Sequence, residues 1–155
     1  MIDVVGSATR SRMMAGILSK DTKPELTVRR YLHACGYRYR LHRKDLPGKP
    51  DLVLSKYRLA IFIHGCFWHR HQCCIYATTP DNRRDFWEEK LNGNVLRDQN
   101  QVSQLCAEGW RVLVVWECGL KHLLSEIDVL QEMIKNVNID FQVWPENPPK
   151  AKPQF

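Results

Sequence analysis

Ile61-Phe62-Ile63-His64-Gly65-Cys66-Phe67-Trp68-His69-Arg70-His71-Gln72-Cys73-Cys74 is the stretch on which the reading of the whole chain turns. An apolar, strand-like run ends at His64, turns at Gly65, and then presents histidines, cysteines and two large aromatics in close succession. A solvated surface loop has no use for that chemistry. Histidine and cysteine at this density point to a metal or an active site. Phe67-Trp68 are costly to leave exposed unless something flat stacks on them.

Working outward, Ser55-Lys56-Tyr57-Arg58 turns the chain between a strand opening at Asp51-Leu52-Val53-Leu54 and the strand Leu59 to His64. Leu46-Pro47-Gly48-Lys49-Pro50 is a turn, with Pro-Gly as its signal. Aspartate is a poor strand former, so Asp51 at a strand mouth wants a reason beyond bonding its own turn. Tyr37 to His42 is predicted as a further strand. Before it lies a helix capped by Asp21 or Thr22, with Pro24 in its first turn and Gly36 at its end. Its buried stripe is Val28, Tyr31, Leu32 and Cys35, and Glu25 falls on the inward edge of that stripe. Ala8 to Leu18 reads as a short amphipathic helix with Arg10 and Arg12 at its start.

Beyond the central stretch, Asp81 to Leu91 and Asn94 to Glu108 read as two helices, the second ended by Gly109. In the second, Asp98 shares the face of Val95, Val102 and Leu105. Trp110 to Trp116 is strongly β-prone, a central buried strand closed by Glu117-Cys118-Gly119. Leu123, Ile127, Leu130 and Ile134 form the stripe of a last helix, and residues 145–155 are expected to be a disordered tail. These elements make an α/β fold: helices flanking a mixed sheet of about four strands. The expected organisation is a single domain over residues 1–144.

The chain has 155 residues, 44% of them hydrophobic and 26% charged, which suits one globular domain with a real core. A net charge of +6 favours an anionic partner, most commonly nucleic acid. No secretory signal opens the chain and no apolar run is long enough to span a bilayer. The six cysteines are therefore expected to be reduced, and to ligate metal or be buried rather than form disulfides. The expected location is the cytoplasm.

Two chemistries overlap in the central stretch. Cys66, His71 and Cys73, joined by Cys118 from the end of the central strand, match a tetrahedral structural zinc site. Cys74 can take the place of Cys73, and His69 that of His71; Cys35 and Cys106 sit on helical stripes and read as core. The second set is hydrolytic: Asp51 and His64 at neighbouring strand ends, His69 just beyond, and Glu25 facing inward. Carboxylates at strand ends hold Mg²⁺ at a phosphodiester, and a histidine deprotonates the attacking water. Phe67, Trp68 and Trp87 add aromatic surface of the kind that stacks on bases or wedges between them.

His64-Gly65-Cys66-Phe67-Trp68-His69, with His71 and Cys73, closely resembles the signature of very-short-patch repair (Vsr) endonucleases. Ala8-Thr9-Arg10-Ser11, Leu46 to Asp51, Phe86 to Lys90, Asn94-Val95 with Arg97-Asp98, and Gly109 to Cys118 resemble further family blocks in the family's order. The resemblance implies a restriction-endonuclease-like fold and a Mg²⁺-dependent nick 5′ of the thymine in T·G mismatches left by deaminated 5-methylcytosine. It implies Asp51 as principal Mg²⁺ ligand with the Ile63 backbone carbonyl, His69 as general base, and Glu25 and His64 in support. Zn²⁺ would be held by Cys66, His71, Cys73 and Cys118. Phe67, Trp68 and Trp87 would intercalate, Asn94 and Asp98 would neighbour the active site, and residues 1–20 would clasp the DNA. A monomer acting at the bacterial nucleoid, linked to a cytosine-5 methyltransferase, a repair polymerase and a ligase, completes the expectation. Ile63 stands where familiar members carry threonine, Arg70 where they carry histidine, and one residue is inserted between Cys73 and Trp87. The competing readings are a non-catalytic zinc-stabilised DNA-binding module and a same-fold nuclease for another lesion or a restriction target.

Overall fold

The computed structural model describes residues 21–150. The expected helix at 8–18, the clasping arm and the last residues of the tail lie outside them. In order come α1 (Lys23–Ala34), β1 (Arg40–Leu41), β2 (Leu52–Leu54), β3 (Leu59–His64), α2 (Arg84–Ala107), β4 (Arg111–Trp116), α3 (Glu117–His122), α4 (Val129–Lys135) and β5 (Phe141–Trp144).

One mixed sheet of five strands runs in the order β1-β2-β3-β4-β5. The first two pairings are antiparallel, and β3–β4 and β4–β5 are parallel. Strand alternation divides the core between two faces. Leu52, Leu54, Ile61, Leu113 and Val115 meet Val28 and Leu32 of α1 and Leu130 and Ile134 of α4. Val53, Ala60, Phe62, Val112 and Val114 meet Leu105 of α2. The architecture is thus α/β with helices on both sides of a mixed sheet, which agrees with a nuclease-like fold.

Several boundaries differ from the sequence reading. The two helices expected at 81–91 and 94–108 are one continuous helix, α2. Gly93 does not break it: the residue is exposed with nothing packed against it, and a helical glycine costs only about 1 kcal/mol. The stripe Leu123–Ile134 does face the core, but on a broken backbone: α3, a 3-10 turn at Leu124–Glu126, then α4. The Tyr31 hydroxyl donates to Asp128 Oδ1 at 2.5 Å and ties that break to α1. The strand expected over 37–42 shrinks to Arg40–Leu41, and Cys35, expected in the core, is exposed. β5 went unread in the sequence, being short and at the sheet's edge.

Arg111 explains how the C-terminal elements are held. It is buried, and its guanidinium donates to the carbonyls of Tyr57, Met133, Ile134, Asn136 and Ile139. A cation satisfying the open carbonyls at the end of α4 suits both hydrogen bonding and helix dipole. Gly119 admits the Trp144 ring so closely that a Cβ would lie 2.7 Å from it, so α3 packs directly on β5. On the other side, residues 145–150 continue past β5, where the Ile75 N–H donates to the Pro149 carbonyl at 3.1 Å.

Candidate active site

Asp51 follows the turn at Leu46–Pro50, where Gly48 at φ +76 lies against Phe62 and Gln101. Its Oδ2 accepts from the Ile63 N–H at 2.8 Å, so the carboxylate sits against the end of β3. Burial pushes the Asp51 carboxyl up to about 6, partly offset by that bond; Glu25 raises it further, and His42 and His69 lower it. Glu25, His42 and His69 therefore all lie near enough to act on its charge. A half-buried carboxylate raised this way is in a setting where a divalent cation would stabilise the ionised form, so the residues fit a catalytic metal.

Glu25 is only 2% exposed. Thr22, not Asp21, supplies the cap of α1, its Oγ1 accepting from the Glu25 N–H at 3.4 Å. The Glu25 carboxylate faces inward as its helical position requires. There it contacts His42 Nε2 and accepts from Arg29 at 2.7 Å.

His64, at the end of β3, stacks on His69 with centroids 3.8 Å apart. Burial holds the His64 imidazole well below its ordinary range, with His69 and His71 adding to the effect, so it stays neutral at physiological pH. His69 Nδ1 lies 2.6 Å from Asp98 Oδ2. With Nδ1–H bonded to that carboxylate, Nε2 carries the lone pair and is free to accept a proton. One helical turn before Asp98, Asn94 Nδ2 donates to the Trp68 carbonyl at 3.0 Å. Asn94 and Asp98 thus have defined tasks, one fixing the loop backbone and one the histidine. A cleft of about 1280 Å³ opens at His64, His69 and Asp98 and runs between α2 and β5.

On the far side of the loop, Cys66, His71, Cys74 and Cys118 are all buried, with one ligand atom each inside a common 4.8 Å limit. His71 Nδ1 is 3.6 Å from Cys66 Sγ and 3.4 Å from Cys118 Sγ. Tetrahedral zinc bonds of about 2.0–2.3 Å place such vertices roughly 3.5–3.8 Å apart. Cys73, expected in this set, is outside it: it takes a left-handed φ of 63 and is exposed, and the next residue turns inward instead. Burial lowers the His71 imidazole to about 4 and raises the Cys66 thiol to about 11, so neither is stable as a charge here without a counter-ion. The set fits a metal. Trp116 joins the two halves of the loop, its ring stacked on His71 at 4.1 Å and edge-on to His64 at 5.2 Å.

Phe67, Trp68 and Trp87 form one aromatic cluster with centroids 5.1–5.9 Å apart. Their exposures differ. Trp87 is 7% exposed and lies beneath the other two, which are half-buried, while its neighbour Phe86 is 44% exposed under the Arg83 guanidinium.

The sequence reading missed His42 and Arg29. Each looked like an ordinary polar residue of a strand end or helix, and only the fold carries His42 to Glu25. The available signal was the spacing of Arg29 four residues after Glu25.

Comparison with known proteins places the chain among DNA endonucleases. The family described as DNA mismatch endonuclease Vsr matches residues 2–75. The type II nicking enzyme V.XorIIP of Xanthomonas oryzae pv. oryzae is 47% identical over 137 residues, covering 88% of this chain and 97% of the relative. The DNA mismatch endonuclease Vsr of Escherichia coli is 46% identical over 121 residues, covering 78% and 77%. The type II nicking enzyme V.NmeAIP of Neisseria meningitidis is 42% identical over 137 residues, covering 88% and 97%. Fold, site and relatives together define an endonuclease whose substrate is DNA. The chain belongs to the Vsr family of DNA mismatch endonucleases. Among the described residues no helix is long and apolar enough to cross a membrane.

Proposed function

We propose that the protein is a Mg²⁺-dependent, strand-specific endonuclease that nicks 5′ of the thymine in T·G mismatches arising from 5-methylcytosine deamination. The observation that carries this reading is the meeting of a half-buried Asp51, held against the end of β3, with a His69–Asp98 pair and an aromatic cluster carried by the following loop and α2. Asp51 and the Ile63 carbonyl would hold Mg²⁺, which when bound would supply Lewis-acid stabilisation of charge on the phosphate. His69 accepts the proton of the attacking water as the phosphodiester P–O bond breaks, and Asp98 keeps its Nδ1 protonated and oriented. His64 backs the His69 ring, and Glu25 supports the Asp51 neighbourhood. Phe67 and Trp68 enter the base stack at the mismatch, with Trp87 as their support. Unstacking costs a few kcal/mol per step and is least where pairing is already weak, which favours a mismatch over plain duplex.

Zn²⁺ in this reading is structural and held by Cys66, His71, Cys74 and Cys118, pinning the loop to the start of α3. The nick opens repair completed by a polymerase and a ligase, at sites set by a cytosine-5 methyltransferase. A second reading has one specific support: two of the relatives above are named type II nicking enzymes, so the sequence around the mismatch follows whichever modification system the protein serves.

The test is strand-specific nicking of a labelled duplex with one T·G mismatch in randomised sequence, beside its T·A twin, with and without Mg²⁺. A Mg²⁺-dependent nick 5′ of the thymine in the mismatched duplex alone is expected, lost in Asp51→Ala and His69→Ala while folding and mismatch binding persist. Cutting of both duplexes would indicate a restriction-like nuclease. Binding without cutting at any Mg²⁺ or Mn²⁺ concentration would indicate a binding module.

A further inference from the structure

We infer that His42 and Arg29 form a positioning clamp on Glu25, and that this clamp sets the chemical step at Asp51. The inference rests on the reading of Asp51 as the reaction centre. His42 touches both members of the pair it would align: its backbone N–H donates to the Asp51 carbonyl at 3.2 Å, and its Nε2 meets Glu25 Oε1. Arg29 donates to the same Glu25 oxygen at 2.7 Å and to Asp21 Oδ1 at 2.5 Å, and stands 3.3 Å from His42 Nε2. Glu25 is thus held from two directions on one oxygen.

Two further features separate this from a surface salt bridge. Glu25 is nearly fully buried, and a carboxylate in that position needs charged or hydrogen-bonding partners in fixed geometry. His42 adopts φ 47, a left-handed conformation that non-glycine residues take only when their surroundings hold them there. The strained backbone occurs at the residue that bonds the Asp51 carbonyl.

The clamp also accounts for a ligand set that otherwise looks like a metal site. Asp21, Glu25 and His42 present one donor atom each within 4.8 Å of one another, an arrangement that suits a cation. The Arg29 guanidinium is already within hydrogen-bonding distance of all three. The Arg29 guanidinium, a permanent cation, occupies the place, so the positive charge needed beside Glu25 travels with the chain.

The experiment compares His42→Ala, His42→Asn and His42→Gln with the parent, in single-turnover nicking at saturating mismatched duplex, with DNA affinity and thermal melting measured on each. Gln places an amide nitrogen near the position of the His42 Nε2; Asn tolerates the left-handed backbone but is too short to reach Glu25. Ala and Asn are expected to slow nicking about 10- to 100-fold, the usual effect of removing a partner that orients an active-site ligand. DNA affinity is expected to stay at the parent's value, melting temperature to fall in Ala and Asn because Glu25 loses a buried partner, and Gln to restore most of the rate. Parent-like rates in Ala and Asn overturn the clamp. So does a rate loss that Gln leaves unrepaired, one matched by an equal loss of DNA affinity, or one that disappears when nicking is assayed well below each variant's melting temperature. Asp51→Ala, run alongside, keeps the two levels apart: if it is inactive while the His42 variants are parent-like, only the clamp fails. If it nicks like the parent, or the parent does not nick, the site reading fails and the clamp with it.

Discussion

The rings of His64 and His69 lie face to face, 3.8 Å between centroids and 3° from parallel. One imidazole is buried at the end of a core strand and stays neutral; the other is half-exposed in the loop and bonded to Asp98. The strand thereby fixes the plane of a loop side chain, and the helix fixes which of its nitrogens is protonated. Division of labour between stack and hydrogen bond makes the two contributions separable by mutation.

Asp98→Asn keeps the size of the side chain but permits the wrong tautomer of His69. Nicking is expected to fall about 10²- to 10⁴-fold with mismatch binding retained. Single-turnover rates and DNA affinities of the purified variant check it; an unchanged rate would remove Asp98 from the proton-transfer apparatus.

Asp51 gives a pH-dependent prediction. Its folded-state carboxyl is raised from 3.8 to about 6, chiefly by burial, so the folded protein binds the proton more readily than the unfolded chain. The ionised group therefore opposes folding above about pH 6, and that cost disappears as pH falls below about 4. Without added divalent metal, Asp51→Asn should be more stable than the parent near pH 8 by up to about 2–3 kcal/mol. The gain should shrink between about pH 6 and pH 4. Urea midpoints across this range decide it, and a gain that ignores pH would place its cause elsewhere.

Cys73 and Cys74 make opposite predictions despite being neighbours. Cys74→Ser and Cys118→Ser should lose most bound zinc and melt at markedly lower temperature, since structural zinc contributes directly to folding. Cys73→Ser should keep full zinc content and parent-like melting, its side chain being outside the cluster. Metal analysis of the three variants distinguishes them, and zinc loss in Cys73→Ser alone would restore the ligand set expected from the sequence.

The aromatic cluster divides in the same manner. Phe67→Ala and Trp68→Ala should each weaken mismatch binding by about 1–3 kcal/mol with little effect on melting. Trp87→Ala should in addition destabilise the fold by about 3 kcal/mol, because that ring is buried beneath the other two. Binding isotherms paired with thermal melts separate the two kinds of loss.

Strong local patterns were readable in advance: the apolar runs of β2, β3 and β4, the Asp51 anomaly and the dense His/Cys loop. What failed depended on register or on distant partners. That Cys74, the alternative, and not Cys73 lies beside Cys66, His71 and Cys118 depends on the left-handed backbone at 73. Joining two helices across Gly93 required seeing that Trp87, Leu91, Asn94, Asp98, Val102 and Leu105 keep one helical phase through it. Arg29 meets Glu25 through the i,i+4 spacing of α1, but His42 meets it only because β1 pairs with β2 beside α1, which no spacing along the chain encodes.

Because α2 is unbroken, Trp87 beneath the aromatic cluster and Asp98 behind His69 belong to one rigid rod. Eleven residues at 1.5 Å each set them roughly 16 Å apart along its axis. The loop bearing Phe67, Trp68 and His69 is thus braced at both ends by the same helix, through Trp87 against the rings and Asp98 against the imidazole. An added helical turn between Trp87 and Asp98 would pull the two braces out of step, so that neither the rings nor the imidazole keeps its support.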